Sequence, residues 1–591
     1  MMPKQRTALI TIASLWILTA TLLMIATTAF SQTNAVQGND FSQIRLFSEV
    51  LFKLKQNYVT ELSDSRLIEA AINGMRREAT GDSTFVPLEE LGNAYEPLDL
   101  FAREYRRLLN DPQTKSSEKL IEAALKGMLR STDPHSVYMN AEEFKEFTTS
   151  TKGSFGGLGI QIDKIGDYIT VVSPIEGTPA YRMGITAGDR IIKVDGESII
   201  GVTTDESIKK MRGDPGTTVL ITISRPGIDA PIEFTIVREI IKVKSVPYSF
   251  QLDNGVGYIR ISQFNENTTS ELRSALDELE TEGIKGLIID LRFNPGGLLD
   301  QAVNTVNEFI GPNKLVVETR GRTRSDALHT RYRTKERTYP IVVLVNQASA
   351  SASEIFAGSL QDWDKGIVVG KTTFGKGSVQ QLIPFGDIRG GIRRDGPGMK
   401  ITTSYYYIKS GRCIHKMSND KLLSGQQVSE SDLKKEDEEN HNTVYYTEKG
   451  REVFGGGGIA PDIEVENDLL TRFGVDLRSK NIFFNFAVDY LVDHNHQVSK
   501  NPSITPAIMD EFLGYAEDHG ISYTPADLDS ARTFIENSLK SELVRKVHGD
   551  LESYKITLSQ DKQLQKAISL FDRYRTLDEM IAYVENQKKL R

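Results

Sequence analysis

Four short apolar runs constrain this chain most: GVGYIRIS (Gly255–Ser262), GLIIDLRF (Gly286–Phe293), PIVVLVN (Pro340–Asn346) and GIVVGKT (Gly366–Thr372). Each has strand length and is rich in β-branched residues, and several lead into helical stretches such as LLDQAVNTVNEFI (Leu298–Ile310). Strands alternating with helices imply an α/β layer built on a partly parallel sheet. In such sheets, sites form where strands run into loops at their C-terminal ends. The ends of these runs are therefore the places to look for chemistry.

The segments on either side have other periods. Residues 41–147 read as helical, and LIEAAINGM (Leu67–Met75) recurs 53 residues later as LIEAALKGM (Leu120–Met128). Apolar residues at helical spacing in both copies predict two similar core helices. Residues 150–240 change to short β-type runs punctuated by glycine, among them GGLGIQI, DYITVVSPI and TTVLITISR, and predict a small β-rich module. The α/β block then runs over 241–468. It is interrupted at 413–453 by a polar stretch containing KKEDEEN, expected to be an exposed insertion. Residues 469–591 read as a polar helical accessory domain without a site.

At 591 residues the chain is too long for one core and suggests three to four domains. A net charge of -9 argues against nucleic acid as a partner. The local basic run Arg320–Arg337 reads as a solvated loop or strand face. One cysteine, Cys413, excludes an internal disulfide and a thiolate cluster. The only close histidine pair, in Asp493–His496, lacks the spacing of a zinc hydrolase, so no metal and no cofactor is implied. At the N-terminus, Lys4 and Arg6 precede an uncharged run from Thr7 to Asn39, with a small-x-small site at Ala29–Ser31. Residues 1–31 are expected to be a signal peptide, or else an uncleaved membrane anchor; either way the rest is exported, to the periplasm.

Two strand ends carry the candidate chemistry. PIVVLVN feeds into QASASASEIF, which sets Ser349, Ser351 and Ser353 at the start of a helix, where developing negative charge is favoured. Ser351-x-x-Glu354 also fits a capping box, so a structural reading and a nucleophilic one stand side by side. GLIIDLRF feeds into NPGG, where Gly296 and Gly297 make either a plain turn or an oxyanion hole. With no histidine nearby, the proton acceptor could be a lysine made neutral by burial. GKTTFGKGSVQQ (Gly370–Gln381) offers Lys371 and Lys376; it is not a phosphate loop, because the first glycine of that motif would fall at Lys365.

NQASASASE, the lysine of TFGKGSVQ and DLRFNPGG together resemble the carboxyl-terminal processing peptidases, the tail-specific serine proteases of the S41 type. The resemblance extends to GMLRSTDPHSVYM (Gly127–Met139), SYYYIKSGR (Ser404–Arg412) and GGGIAPDI (Gly456–Ile463). It implies a multidomain fold: a ClpP/crotonase-like α/β protease core with an inserted PDZ domain, an N-terminal helical region and a C-terminal helical accessory domain. It implies Ser351 as nucleophile, Lys376 as general base and Gln380 as the residue that orients the lysine, with Ser353 left to cap the helix. The oxyanion hole would use the Ala352 amide and a glycine of NPGG, Gly297 in preference to Gly296. His135, in Asp-Pro-His-Ser, is read as structural.

The β module resembles a PDZ domain in GGLGI, in PAYRMGITAGDRIIKVDG (Pro179–Gly196) and in MRGDPGTTV (Met211–Val219). PDZ domains add a peptide strand to a sheet edge and hold its C-terminal carboxylate in a backbone nest. By that resemblance Gly156, Gly157, Leu158, Gly159 and Ile160 form the peptide-binding loop, and Arg212 is a regulatory candidate or else a surface ion pair. The partners implied are protein or peptide substrates with exposed C-termini; homodimerisation stays open. The rival reading is a catalytically inactive exported PDZ scaffold.

Overall fold

In the computed structural model, the two copies of the internal repeat lie within the helices Asp64–Thr80 and Ser117–Arg130. They cross closely because each copy places a glycine at the contact. A Cβ on Gly74 would stand 2.4 Å from the Ala123 carbonyl oxygen, and one on Gly127 2.6 Å from that of Ala70. The repeat is thus a packing device. The structure describes residues 38–81, 84–87, 96–111, 116–386, 396–416, 443–466, 470–494 and 497–590, with Ser429, Ser431 and Lys435. The N-terminal segment 1–31, most of the 413–453 insertion, and Asn495 and His496 lie outside them.

The chain divides into two units, the first comprising residues 1–144, 321–323 and 380–404. Besides the repeat helices it holds the helices Gly38–Asn57 and Pro97–Leu109 and the antiparallel pairing of Val137–Met139 with Gly398–Lys400. In the Asp-Pro-His-Ser turn the organiser is Asp133. Its Oδ1 accepts the amides of His135 and Ser136 at 2.7 and 2.8 Å, and its Oδ2 accepts the hydroxyls of Ser136 and Tyr58 at 2.6 and 2.8 Å.

The second unit contains the β module and the α/β layer. The module is a sheet in the order Ile160–Ile165, Tyr168–Pro174, Arg190–Val194, Thr218–Ser224, Ile232–Val237. The helix Thr204–Met211 starts at a complete capping box, Thr203 with Glu206. The predicted apolar runs become neighbours in one sheet. Tyr248–Gln251 pairs antiparallel with Val256–Arg260, followed in parallel by Gly286–Asp290, Ile341–Val345, Ile367–Gly370 and Ile463–Glu464.

Alternate residues of these strands enter two different cores, as a period of two requires. Ile289, Val343 and Val368 face one cluster with the helices Thr268–Thr281, Leu299–Ile310 and Ala352–Asp362. Ile288, Val342, Leu344 and Val369 face a second cluster with Leu564, Leu570, Phe571, Met580 and Val584. The C-terminal region is therefore not wholly accessory. Residues from Leu558 to Val584 form the second helical layer of the core, while the helices between Arg472 and His548 build a separate cluster around Phe483, Phe512 and Ile535. Gly286 makes room for this layer, since a Cβ there would lie 2.3 Å from the Phe571 ring.

One residue of the basic run departs from its solvated expectation. The Arg337 side chain is only 2% exposed and is paired with Glu280 at 2.8 Å and Glu308 at 3.5 Å.

Candidate active site

The site begins where the Ile341–Val345 strand ends. Asn346 turns the chain, and the helix Ala352–Asp362 starts immediately after Ser351. The three serines part company here. Ser349 Oγ donates to the Leu291 carbonyl at 2.9 Å and Ser353 Oγ to the Asn294 carbonyl at 3.0 Å, and both are fully buried. Ser351 is half-buried and sits at the N-cap with φ 55° and ψ −113°. Such a backbone costs an L residue on the order of 1–3 kcal/mol and clusters at functional sites. The expectation that Ser353 caps the helix is corrected: its hydroxyl is turned towards the NPGG loop. Glu354 instead closes the turn, accepting the Ser351 amide at 2.7 Å.

Glu354 does more than cap. Its Oε1 accepts the Thr373 hydroxyl at 2.6 Å and the Gly375 amide at 2.7 Å, and its Oε2 also accepts the Lys376 amide at 2.9 Å. One fully buried carboxylate thus holds the amides of Ser351 and Lys376 on the same oxygen. On the carbonyl side the Tyr406 hydroxyl is hydrogen-bonded to the oxygens of both residues, 3.2 Å from that of Ser351. Burial pushes the Glu354 carboxyl above its ordinary value, and the four donors pull it back only in part. Burial also pushes the Tyr406 phenol well above its ordinary value.

The NPGG loop meets the same turn. Asn294 accepts the Ala350 amide at 3.0 Å through its carbonyl, and its Oδ1 accepts the Gly296 amide at 2.8 Å. A Cβ on Gly296 (φ 95°) would lie 2.8 Å from both the Ala352 nitrogen and the Ser351 Cβ, so only glycine permits this approach. Gly297, with φ 147°, presses on the Phe264 carbonyl. Its neighbours make the ladder bonds there, Phe264 N to Gly296 O and Leu298 N to Phe264 O. Among the described residues, the amides of Gly297 and Ala352 donate to no backbone carbonyl. The base of the loop is pinned by a buried network. Asp290 accepts Arg292 at 2.6 Å, Arg260 at 2.9 Å and the Tyr258 hydroxyl at 2.7 Å, and Arg292 reaches Asp561 at 2.6 Å in the C-terminal layer. Burial alone would raise the Asp290 carboxyl, but the two guanidiniums outweigh it and hold it at about 2.

A model of peptidase family S41 matches residues 255–420, and a PDZ model matches 170–225. A carboxy-terminal-processing protease of Bartonella bacilliformis is 44% identical over 329 residues, which is 54% of this chain and 73% of that protein. The chain belongs to the carboxy-terminal processing proteases of peptidase family S41. The carboxy-terminal processing protease CtpA of Bacillus subtilis is 38% identical over 59% of this chain and 70% of its own length. Among solved structures, the photosystem II D1 C-terminal processing protease aligns at 25% identity over 63% of this chain and 90% of that chain, with a TM-score of 0.35. Residues 475–549 match a family of unknown function.

In this S41 chain Lys376 is half-buried on a loop whose flanking glycines are required by close neighbours. A Cβ on Gly375 would lie 2.9 Å from Lys416 Cβ, and one on Gly377 2.7 Å from the His415 nitrogen. The Gly377 amide donates to His415 Nδ1 at 3.3 Å, so His415, beside the lysine loop, serves as an acceptor there. Lys371, the other lysine of the motif, faces elsewhere and pairs with Glu464 and Glu466. Gln380 lies on the strand Ser378–Pro384 and belongs to the first unit, where its Nε2 donates to Thr402 Oγ1 at 3.3 Å.

In the PDZ domain, Ser154–Gly157 pairs with Glu239–Lys242, and the chain turns through Leu158 and Gly159 into the edge strand Ile160–Ile165. Leu158 is buried in the domain core, and its carbonyl accepts the Ala180 amide at 3.0 Å. Among the described residues the amides of Leu158 and Gly159 donate to no backbone carbonyl. An edge strand beside unspent amides is the arrangement that strand addition needs. Arg212 ends the helix Thr204–Met211 and stacks on the Phe155 ring with its guanidinium 4.2 Å from the ring centre. Among the described residues Arg212 forms no ion pair.

Reading the sequence alone misses Thr373, Tyr406 and Asn294, and sees Glu354 only as a cap. The capping-box spacing is a signal for Glu354. Nothing separates Tyr406 from its neighbours in SYYYIKSGR.

Proposed function

We propose that this chain is a serine endopeptidase in which Ser351 attacks the peptide carbonyl and Lys376 takes its proton. The observation that carries the reading is the double tether: Glu354 Oε2 and Tyr406 Oη each engage the backbones of both residues. Such a tether fixes nucleophile and base in one frame, and that preorganisation is what proton transfer requires. Oγ attacks as neutral Lys376 Nζ accepts the hydroxyl proton. The Ala352 and Gly297 amides receive the oxyanion, each worth about 10²–10³ in rate in comparable sites. The lysinium then protonates the leaving amine, and water, deprotonated by the lysine, releases the acyl group. Gln380 orients the lysine.

The PDZ domain captures an unstructured C-terminus at the Gly156–Ile160 loop and delivers the chain to Ser351, with Arg212 signalling occupancy. Residues 1–31 direct the enzyme out of the cytoplasm, so its substrates are exported proteins. The test is cleavage of a protein with a disordered apolar tail by wild type, Ser351→Ala and Lys376→Ala. Both variants should lose on the order of 10³-fold or more in rate while keeping the wild-type melting profile. If Lys376→Ala cuts at neutral pH, the base is another group. If wild type binds the tail and never cuts it, the scaffold reading replaces this one.

A further inference from the structure

Phe293 is a residue that folding alone does not explain. Six described non-glycine residues have positive φ: Asp195, Asn313, Asp364 and Asn481 are of the types that tolerate it, Ser351 is the nucleophile candidate, and Phe293 is the sixth at φ 57°. A bulky aromatic in this region is strained, and asparagine or glycine would relieve it. Burial offers no compensation. At 69% exposure, Phe293 is the most exposed large apolar side chain among the described residues.

The surroundings hold it there. The Phe293 amide donates to Asn346 Oδ1 at 3.0 Å, and the same oxygen accepts the Ala348 amide at 3.1 Å. The next residue, Asn294, bonds to Ala350, Ser353 and Gly296. Phe293 therefore stands between the turn that carries Ser351 and the loop that carries Gly297, with an open ring and a clamped backbone.

Resting on the peptidase reading above, we infer that Phe293 is a specificity residue whose ring receives an apolar side chain flanking the scissile bond. A strained, exposed aromatic beside a site gains its free energy only when something covers it. A polypeptide passing Ser351 supplies that cover through a leucine- or phenylalanine-sized side chain, whereas a glutamine there would lose water without gaining a partner.

The test uses the full-length protein and two quenched fluorescent peptides that share an apolar C-terminal tail and differ only in leucine or glutamine beside the cleaved bond. Wild type should prefer leucine by roughly tenfold or more in kcat/KM. Phe293→Asn, which suits the backbone and should melt no lower than wild type, should bring the ratio close to one, and Phe293→Tyr should retain the preference. An unchanged ratio in Phe293→Asn, with cleavage still dependent on Ser351, overturns the inference and leaves the peptidase reading intact. If wild type cuts neither peptide, nor the tailed protein above, the peptidase reading falls and the inference with it.

Discussion

Replacing Glu354 by glutamine tests whether the tether acts on catalysis or only on folding. The carboxylate accepts two donors on each oxygen: Thr373 Oγ1 and the Gly375 amide on Oε1, the Ser351 and Lys376 amides on Oε2. Glutamine offers one acceptor oxygen, and its NH₂ must face two of those donors. The less costly orientation points NH₂ at Thr373, whose hydroxyl can rotate to accept, and leaves the Gly375 amide unmet. A buried unmet donor costs about 1–3 kcal/mol, and the two amides kept on the oxygen lose charge assistance, roughly 0.5–1 kcal/mol each. Against this, glutamine escapes the desolvation that raises the Glu354 carboxyl. The net loss is about 2 kcal/mol, small enough to leave a folded protein. The effect on kcat should be larger: the unmet amide belongs to Gly375, next to Lys376, and a shift of the lysine loop by about 1 Å relative to Ser351 costs on the order of 10²-fold. Steady-state kinetics on a tailed peptide should show that drop in kcat with little change in KM. The pH profile adds a readout that lost stability alone would not move. As pH falls through the raised carboxyl value, protonation places a further donor in a pocket already full of donors. Protonation of the Lys376 base sets the first acid-side loss in both proteins; wild type should show a second loss below it as Glu354 protonates, and Glu354→Gln should keep only the first. A variant with wild-type kcat and a wild-type pH profile, beside an inactive Ser351→Ala, would refute the reasoning.

Gly286→Ala should destabilise the protein by about 1–3 kcal/mol, because its Cβ would meet the Phe571 ring at 2.3 Å; in denaturant melts the added substitution Phe571→Leu should recover part of the loss, and strict additivity would count against the seat. Asp290, buried and held at about 2 by Arg292 and Arg260, lies below its unfolded value near 3.8, so its contribution is present above pH ~4 and lost as pH falls towards 2. That step, about 2 kcal/mol in acid melts, should vanish in Asp290→Asn, which will also be less stable at neutral pH. Burial lowers Lys546 to about 7, and among the described residues its Nζ has no hydrogen-bond partner, though it lies 3.4 Å from the centre of the Phe484 ring. A lysine depressed in the folded state costs stability most below pH 7, and the cost is relieved as pH rises towards about 10.4. Lys546→Met should therefore stabilise the protein by roughly 2 kcal/mol at pH 6, after allowing about 2 kcal/mol for the cation over the ring, with the gain shrinking by pH 10.

The fold was legible wherever one residue run answers to one environment. Ile341–Val345 and Gly286–Asp290 are buried at every position, so their continuous apolar character declares them strands. The second helical layer was hidden for the opposite reason. In Lys562–Arg573 the apolar residues Leu564, Ala567, Leu570 and Phe571 form one stripe among lysines and glutamines, and the segment averages out as polar. Only the strand residues facing that stripe reveal what it covers.

The site divides in the same way. Ser351 and Lys376 stand out in sequence because glycines and small residues crowd around them, and that crowding is the trace of close backbone approach. The residues that hold them together leave no such trace. Glu354 follows Ser351 by one helical turn, so its short-range bond to the Ser351 amide can be read as a cap. Its bonds to Thr373, Gly375 and Lys376 come from a segment some twenty residues on, brought back by the adjacent parallel strand Ile367–Gly370. Tyr406 comes from farther still and reaches the same two residues. Local spacing encodes which groups can do chemistry. Their distance from one another is set by sheet register, and a parallel sheet joins residues that sequence keeps apart. For that reason the cap reading of Ser351-x-x-Glu354 does not exclude the proposed catalytic one: one carboxylate closes the helix and, through the same oxygen, holds the lysine loop against the serine turn.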